Sequence, residues 1–143
     1  MKWYKHGAKS LSDPVIFEAI EKFGGDGYMV FFGTLELIAD EFDIYNPGVM
    51  TFSWRFLRKN LQLSRQKLTT IYTLFDQKAK ENQTKHKGFL VSINDDGVTI
   101  NCKKLAELSD NHTQKLLRER TKLLRSEKEV TSPIEEEVDK EEE

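Results

Sequence analysis

The stretch TFSWRFLRKNLQLSRQKLTTIYTLFDQ, residues 51–77, and the stretch FLVSINDDGVTINC, residues 89–102, together decide the fold. In the first, Thr51 reads as the cap of a helix that runs to about Asn60, with Phe52, Phe56 and Leu57 inward and Arg55, Arg58 and Lys59 outward. Ser64 caps a second helix, in which Leu68, Ile71, Tyr72 and Phe75 fall on one stripe. Gln66, Thr69, Thr70, Thr73 and Gln77 occupy its opposite side. Only Leu61, Gln62 and Leu63 separate the two helices, so the chain turns sharply, and the second helix offers a row of amides and hydroxyls to water or to a groove. Phe89, Leu90, Val91 and Ile93 then read as a strand, Asn94-Asp95-Asp96-Gly97 as a turn, and Val98 to Cys102 as the partner strand. Helix, break, helix and hairpin is the element order of a winged helix-turn-helix, a way of presenting one helix and one loop to a duplex.

Upstream, Ser12-Asp13-Pro14 opens a helix, because proline at the first helical position forfeits no hydrogen bond. Val15, Ile16, Ala19, Ile20 and Phe23 form its apolar face, and Gly24-Gly25 stops it. Asp26 reads as the cap of the next helix, where Tyr28, Phe31, Phe32, Leu35, Ile38, Ala39 and Phe42 recur at helical intervals as core. Asn46-Pro47-Gly48 is a turn. Downstream, Leu105, Leu108, Leu116, Leu117, Leu123 and Leu124 continue helically with a restart at Ser109-Asp110, and Lys115, Arg118, Arg120, Lys122 and Arg125 make that last helix basic. The expected class is therefore mainly α with a small β-hairpin (α+β): a winged helix-turn-helix with extra N-terminal and C-terminal helices.

With 143 residues and 38% hydrophobic content, the chain can bury one core. Its net charge of -2 hides an asymmetry. Residues 127–143 hold nine carboxylates against two lysines, which leaves residues 1–126 with twenty basic and fifteen acidic side chains. The acidic segment has only Val130, Ile134 and Val138 to bury, so it is expected to be a disordered linker or tail. The expected organisation is a winged-helix domain over 1–110, a basic helix over 111–126 and the acidic tail over 127–143, with the chain as a fragment of something longer. The longest apolar stretch, Tyr28 to Ala39, falls short of a bilayer span, and no apolar run follows the charged start, which points to the cytoplasm. The single Cys102 reads as a small buried residue at a strand end.

No catalytic constellation stands out. His6, His86 and His112 are scattered, there is no His-x-x-x-His or Cys-x-x-Cys pair, and Gly24-Gly25-Asp26-Gly27 lacks the preceding strand and the lysine of a phosphate loop. The expectation is a protein without enzymatic activity, cofactor or metal.

Lys2-Trp3-Tyr4-Lys5-His6 followed by Asp13-Pro14, then Lys22-Phe23-Gly24-Gly25-Asp26-Gly27-Tyr28 and Leu35-Glu36-Leu37-Ile38, resembles the N-terminal domain of phage replisome organisers. These group with the DnaD-like primosome proteins of low-GC Gram-positive bacteria, their phages and plasmids. The resemblance covers roughly residues 1–110. It implies a winged-helix domain that self-associates, binds origin DNA and passes the site to a helicase loader, with no enzymatic chemistry of its own. It also implies that a second helical domain often follows after a charged linker. This chain departs from that pattern in a second helix rich in Thr and Gln but poor in Lys and Arg, and in a long polar segment, Lys78 to Lys87.

On this reading Arg55, Arg58, Lys59, Arg65 and Lys67 meet phosphates, which fixes register without reading sequence. Gln66 is suited to an adenine edge and the methyls of Thr69, Thr70 and Thr73 to thymine, at about 1–3 kcal/mol of discrimination per good bidentate contact. Ser64 stands at the helix start, and Lys85 and Lys87 at the hairpin base reach a neighbouring groove or backbone, as Lys103 and Lys104 also can. The partners expected are double-stranded DNA, further copies of the chain, and a helicase loader or other primosome protein. Two other readings share the fold: an assembly module whose aromatic N-terminal strand and leucine-bearing last helix build an oligomer without touching DNA, and a transcriptional regulator.

Overall fold

In a computed structural model of the chain, residues 1–81 and 88–142 are described, with side chains described as far as Glu127. The helices are α1 (Pro14–Phe23), α2 (Gly25–Asp40), α3 (Trp54–Leu61), α4 (Arg65–Glu81), α5 (Lys104–Glu107) and α6 (Asn111–Glu142). The strands are β1 (Val49–Ser53), β2 (Leu90–Ile93) and β3 (Gly97–Asn101), which form an antiparallel sheet in the order β1-β3-β2. This is a mainly helical, winged-helix-like α+β fold, as the element order predicts. Among the described residues, no helix is long and apolar enough to cross a membrane.

Local chemistry explains most boundaries. Asp13 Oδ1 accepts from Val15 N at 3.0 Å and Pro14 takes the first helical position, so α1 starts where expected. Gly24, at φ 65°, closes α1 by donating to Ile20 O at 2.7 Å and leads straight into α2. Asp26 is therefore not a cap. It lies in the first turn of α2, and its carboxylate is ion-paired with Lys67 of α4.

Thr51 is not a cap either, because residues 49–53 form a strand. Thr51 pairs with Thr99 of β3 through a hydroxyl–hydroxyl hydrogen bond of 2.8 Å, and Ser53 caps α3 by accepting from Phe56 N at 3.1 Å. The inward face of α3 is Trp54, Leu57 and Leu61, which recur at helical spacing, and Phe56 is exposed rather than inward. Across the sheet Gly97 stands opposite Ser53, where a Cβ would collide with the Phe52 carbonyl; only glycine lets the hairpin pack this closely on β1. Asn94 Oδ1 accepts from both Asp96 N and Gly97 N at 2.9 Å and so shapes the turn.

The core joins the buried faces of α2 and α4 to the sheet: Val30 and Ile38, then Leu68, Ile71, Tyr72 and Phe75, then Phe89, Val98 and Ile100. Phe31 packs edge-on against Phe75 at 5.3 Å and stacks on Phe89 at 4.8 Å. The Tyr72 hydroxyl, wholly buried, is paired with Thr34 Oγ1 at 2.7 Å, and burial pushes its pKa up to about 12. Cys102 is buried, and its thiol is likewise pushed up to about 11.

The N-terminal residues form an arm that closes onto the far end of the fold. Tyr4 bridges to Ser109, and Lys5 N donates to Leu108 O at 2.8 Å. Asp110 Oδ2 accepts from Lys2 N at 2.6 Å and Trp3 N at 3.2 Å, while its Oδ1 caps α6 by accepting from Thr113 N at 2.8 Å. Hydrogen bonds from Thr113, side chain first and then backbone, and from the arm hold the Asp110 carboxyl well below the usual carboxylate range. Beyond it Thr113 is buried, Leu116 and Leu117 are half-buried, and residues 121–127 are exposed all round. Composition points to a disordered tail from residue 127, whereas the backbone continues as α6 to Glu142. Its Glu and Lys residues are strong helix formers that extend a helix already nucleated, against the cost of Pro133, which forfeits one helical hydrogen bond inside it.

Candidate nucleic-acid interface

Helices α3 and α4 are joined by Gln62, Leu63 and Ser64, a turn made possible by Gln62 in the left-handed conformation (φ 55°, ψ 37°), with its N–H donating to Arg58 O at 2.9 Å. Ser64 opens α4 as expected, its hydroxyl accepting from Lys67 N at 3.2 Å. Leu57 and Leu61 of α3 and Leu68 and Ile71 of α4 are buried, which fixes one helix against the other.

The polar side of α4 faces outward. Gln66, Thr70, Thr73 and Gln77 are exposed, and Thr69 is half-buried. The Thr70 and Thr73 hydroxyls donate to the carbonyls of Gln66 and Thr69, at 3.0 and 2.7 Å. Each oxygen is thereby left as an acceptor beside its methyl group. On α3, Arg55, Arg58 and Lys59 are exposed, and none of them has a carboxylate partner among the described residues. With Gln62, Leu63 and Ser64 they line an open recess of about 490 Å³ beside the start of α4. Three guanidinium and ammonium groups next to the positive end of a helix make a surface suited to phosphate oxygens.

The other two cations singled out from the sequence are committed within the molecule. Arg65 lies over the Trp54 ring at 5.1 Å and reaches Asp95 Oδ1 at 3.7 Å, and Lys67 is ion-paired with Asp26. Both stay partly open to solvent, so either could meet a phosphate only by exchange with its carboxylate. Trp54 organises this end of the fold: its backbone N donates to Asp96 O at 3.3 Å and its Nε1 to Asn94 O at 2.9 Å, drawing the wing turn onto the start of α3. The wing tip is therefore Asp95 and Asp96, both exposed, and it presents negative charge beside the cationic recess. Lys85 and Lys87 lie outside the described residues. The asymmetry in pairing between α3 and α4 was not foreseeable from spacing, because Asp26 and Asp95 come from elements far away in the chain.

A second cavity, of about 510 Å³, opens between the N-terminal arm, the start of α1 and the middle of α2. His6 stacks on Phe32 at 4.0 Å at its edge, and its Nε2 lies 3.3 Å from the Tyr28 hydroxyl. Comparison of the chain with protein-family models, with curated proteins and with solved structures finds no match.

Proposed function

We propose that this chain binds double-stranded DNA in the cytoplasm through α3 and α4 and acts at the start of replication, where it marks a site for a helicase loader. One observation carries the docking part: Arg55, Arg58 and Lys59 stand exposed, free of carboxylate partners among the described residues, on the helix that precedes an outward row of Gln and Thr. In this reading the α3 cations take phosphates and set the register, while Gln66, Thr70 and Thr73 meet base edges. The replication part is supported by the resemblance of residues 2–6, 13–14, 22–28 and 35–38 to phage replisome organisers.

Fluorescence anisotropy of a labelled duplex with the full chain, at several salt concentrations, tests the docking. With three free cations and two that join by exchange, log Kd should rise with log salt at a slope of about 3–5. Replacing Arg58 and Lys59 by Ala should cut that slope by about 2. A slope near zero, or one unchanged by the double substitution, overturns the interface. Selection of bound fragments from the source genome then tests the role: sites clustered in an origin support replication, and one short palindrome upstream of a gene supports a transcriptional regulator.

The acidic wing tip favours a second reading, an assembly module without DNA contact, because Asp95 and Asp96 repel a phosphate backbone. That reading predicts no anisotropy change at any salt concentration together with intact self-association.

A further inference from the structure

We propose that the cavity between the N-terminal arm and helices α1 and α2 is the binding site of a small aromatic carboxylate. Its space of about 510 Å³ falls among ordinary ligand pockets, which run to roughly 300–1,000 Å³. Val15 and Ile16 of α1 and Phe31, Phe32 and Leu35 of α2 give it an apolar floor. Val15, Ile16 and Leu35 are buried, so the core holds that floor in place before anything binds. Phe31 and Phe32 are half-buried and meet edge-on at 5.1 Å, and the His6 imidazole stacks on the Phe32 ring at 4.0 Å. Such faces and edges suit a flat aromatic body. The arm is fixed as the other wall by the bridge from Tyr4 to Ser109 and by Lys5 N on Leu108 O, which makes the site largely pre-formed.

Charge selects the head group of the occupant. Lys5 and Lys9 are exposed in the lining and Lys104 is half-buried there, and none of the three has a carboxylate partner among the described residues. The Asp13 carboxylate also lines the cavity, but its Oδ1 is committed to Val15 N at the start of α1. Tyr4, in the same wall, has a hydroxyl with no hydrogen-bond partner among the described residues and is available as a donor. Three ammonium groups around an apolar floor complement an apolar molecule with one anionic end. A neutral molecule leaves the lysines without a counter-charge, and a nucleotide brings a ribose and base edges that this floor has no groups to satisfy. No residue of the lining belongs to the recess beside α3, so the site is separate from the proposed DNA-docking surface.

The site does not depend on DNA binding, so it is tested on the full chain without DNA, with naphthoate as the probe. Isothermal titration calorimetry should show saturable one-to-one uptake of naphthoate, about tenfold tighter than that of uncharged naphthamide and tighter than that of adenosine monophosphate. In proton–nitrogen correlation spectra the shifts caused by naphthoate should concentrate at Lys5, Val15, Phe32 and Lys104 and leave residues 55–64 unmoved. Lys5→Glu/Lys9→Glu should weaken naphthoate about tenfold, to the level of the amide, and leave the amide itself unaffected. Because both lysine side chains are exposed, the melting temperature of the protein without probe should not change. No saturation by about 1 mM, equal uptake of the amide or the nucleotide, shifts centred on α3 and α4, or an affinity indifferent to the double substitution overturns the proposal.

Discussion

Asp110 joins two parts of the molecule that the sequence keeps more than a hundred residues apart. One oxygen caps α6 at Thr113 N, and the other holds the arm at Lys2 N and Trp3 N. Replacing it by Ala removes a helix cap, typically about 1 kcal/mol, and two charge-assisted hydrogen bonds. The latter are worth about 1.5–3 kcal/mol each when buried. The freed arm amides regain water, which brings their share down to about 1 kcal/mol each. The expected total is about 3 kcal/mol, a large part of the roughly 5–15 kcal/mol that stabilises a domain of this size. With an m-value of about 2 kcal/mol/M in urea, the unfolding midpoint should drop by about 1.5 M. Asp110→Asn keeps a capping oxygen but not the charge, and should cost about half as much.

The same group predicts a pH dependence with a definite sign. The folded carboxyl is held below its unfolded value, so its contribution is complete above the ordinary aspartate range of about 4 and fades as pH falls through and below it. Urea titrations at a series of pH values between neutrality and strong acid should show an acid limb in the wild type that is shallower in Asp110→Ala. A residual limb remains from Glu18, whose carboxyl is lowered by hydrogen bonds from Lys78 and then Lys22. If Asp110→Ala unfolds within about 0.5 kcal/mol of wild type, or with an unchanged acid limb, the clasp between arm and helix is wrong.

Four further outcomes are expected. Tyr72→Phe strands the buried Thr34 hydroxyl and should cost about 1–3 kcal/mol. In the wild type, tyrosinate formation at Tyr72 should coincide with unfolding between about pH 10 and 12, since stability held by a raised pKa is present below 10 and lost on the way up; a freely titrating Tyr72 in folded protein refutes its burial. Gly97→Ala forces a Cβ against the Phe52 carbonyl and should destabilise by more than about 2 kcal/mol in thermal unfolding; a neutral result means that β1 and β3 are not packed as described. Asp95→Asn/Asp96→Asn should tighten DNA binding about three- to tenfold at low salt by removing repulsion and releasing Arg65; unaltered or weaker binding places the wing away from the duplex.

Much of this architecture is legible from local chemistry. Asp13-Pro14, Gly24, Ser64 and Asn94 to Gly97 act through backbone groups within four residues of themselves, so reading them in order recovers α1, the turn before α4 and the hairpin. Strand β1 escapes that reading because its five residues become a strand only by pairing with β3, about fifty residues later. Thr51, beside the start of a helix, mimics a cap until that pairing is known. The outward face of α4 is equally legible, since its buried stripe leaves the Gln and Thr residues nowhere else to go. The difference between α3 cations that are free and α4 cations that are engaged depends on Asp26 and Asp95, which only the tertiary fold brings near.

The three-residue joint between α3 and α4, with buried leucines on either side, means that the α3 cations and the α4 amides travel as a single stiff body. A duplex that docks as proposed would then order little backbone, so calorimetry should record a modest heat-capacity change rather than the large one of a segment that folds as it binds. In the proposed binding mode the rate of capture would be governed by how often the two molecules meet in a suitable orientation, not by a slow rearrangement of the protein.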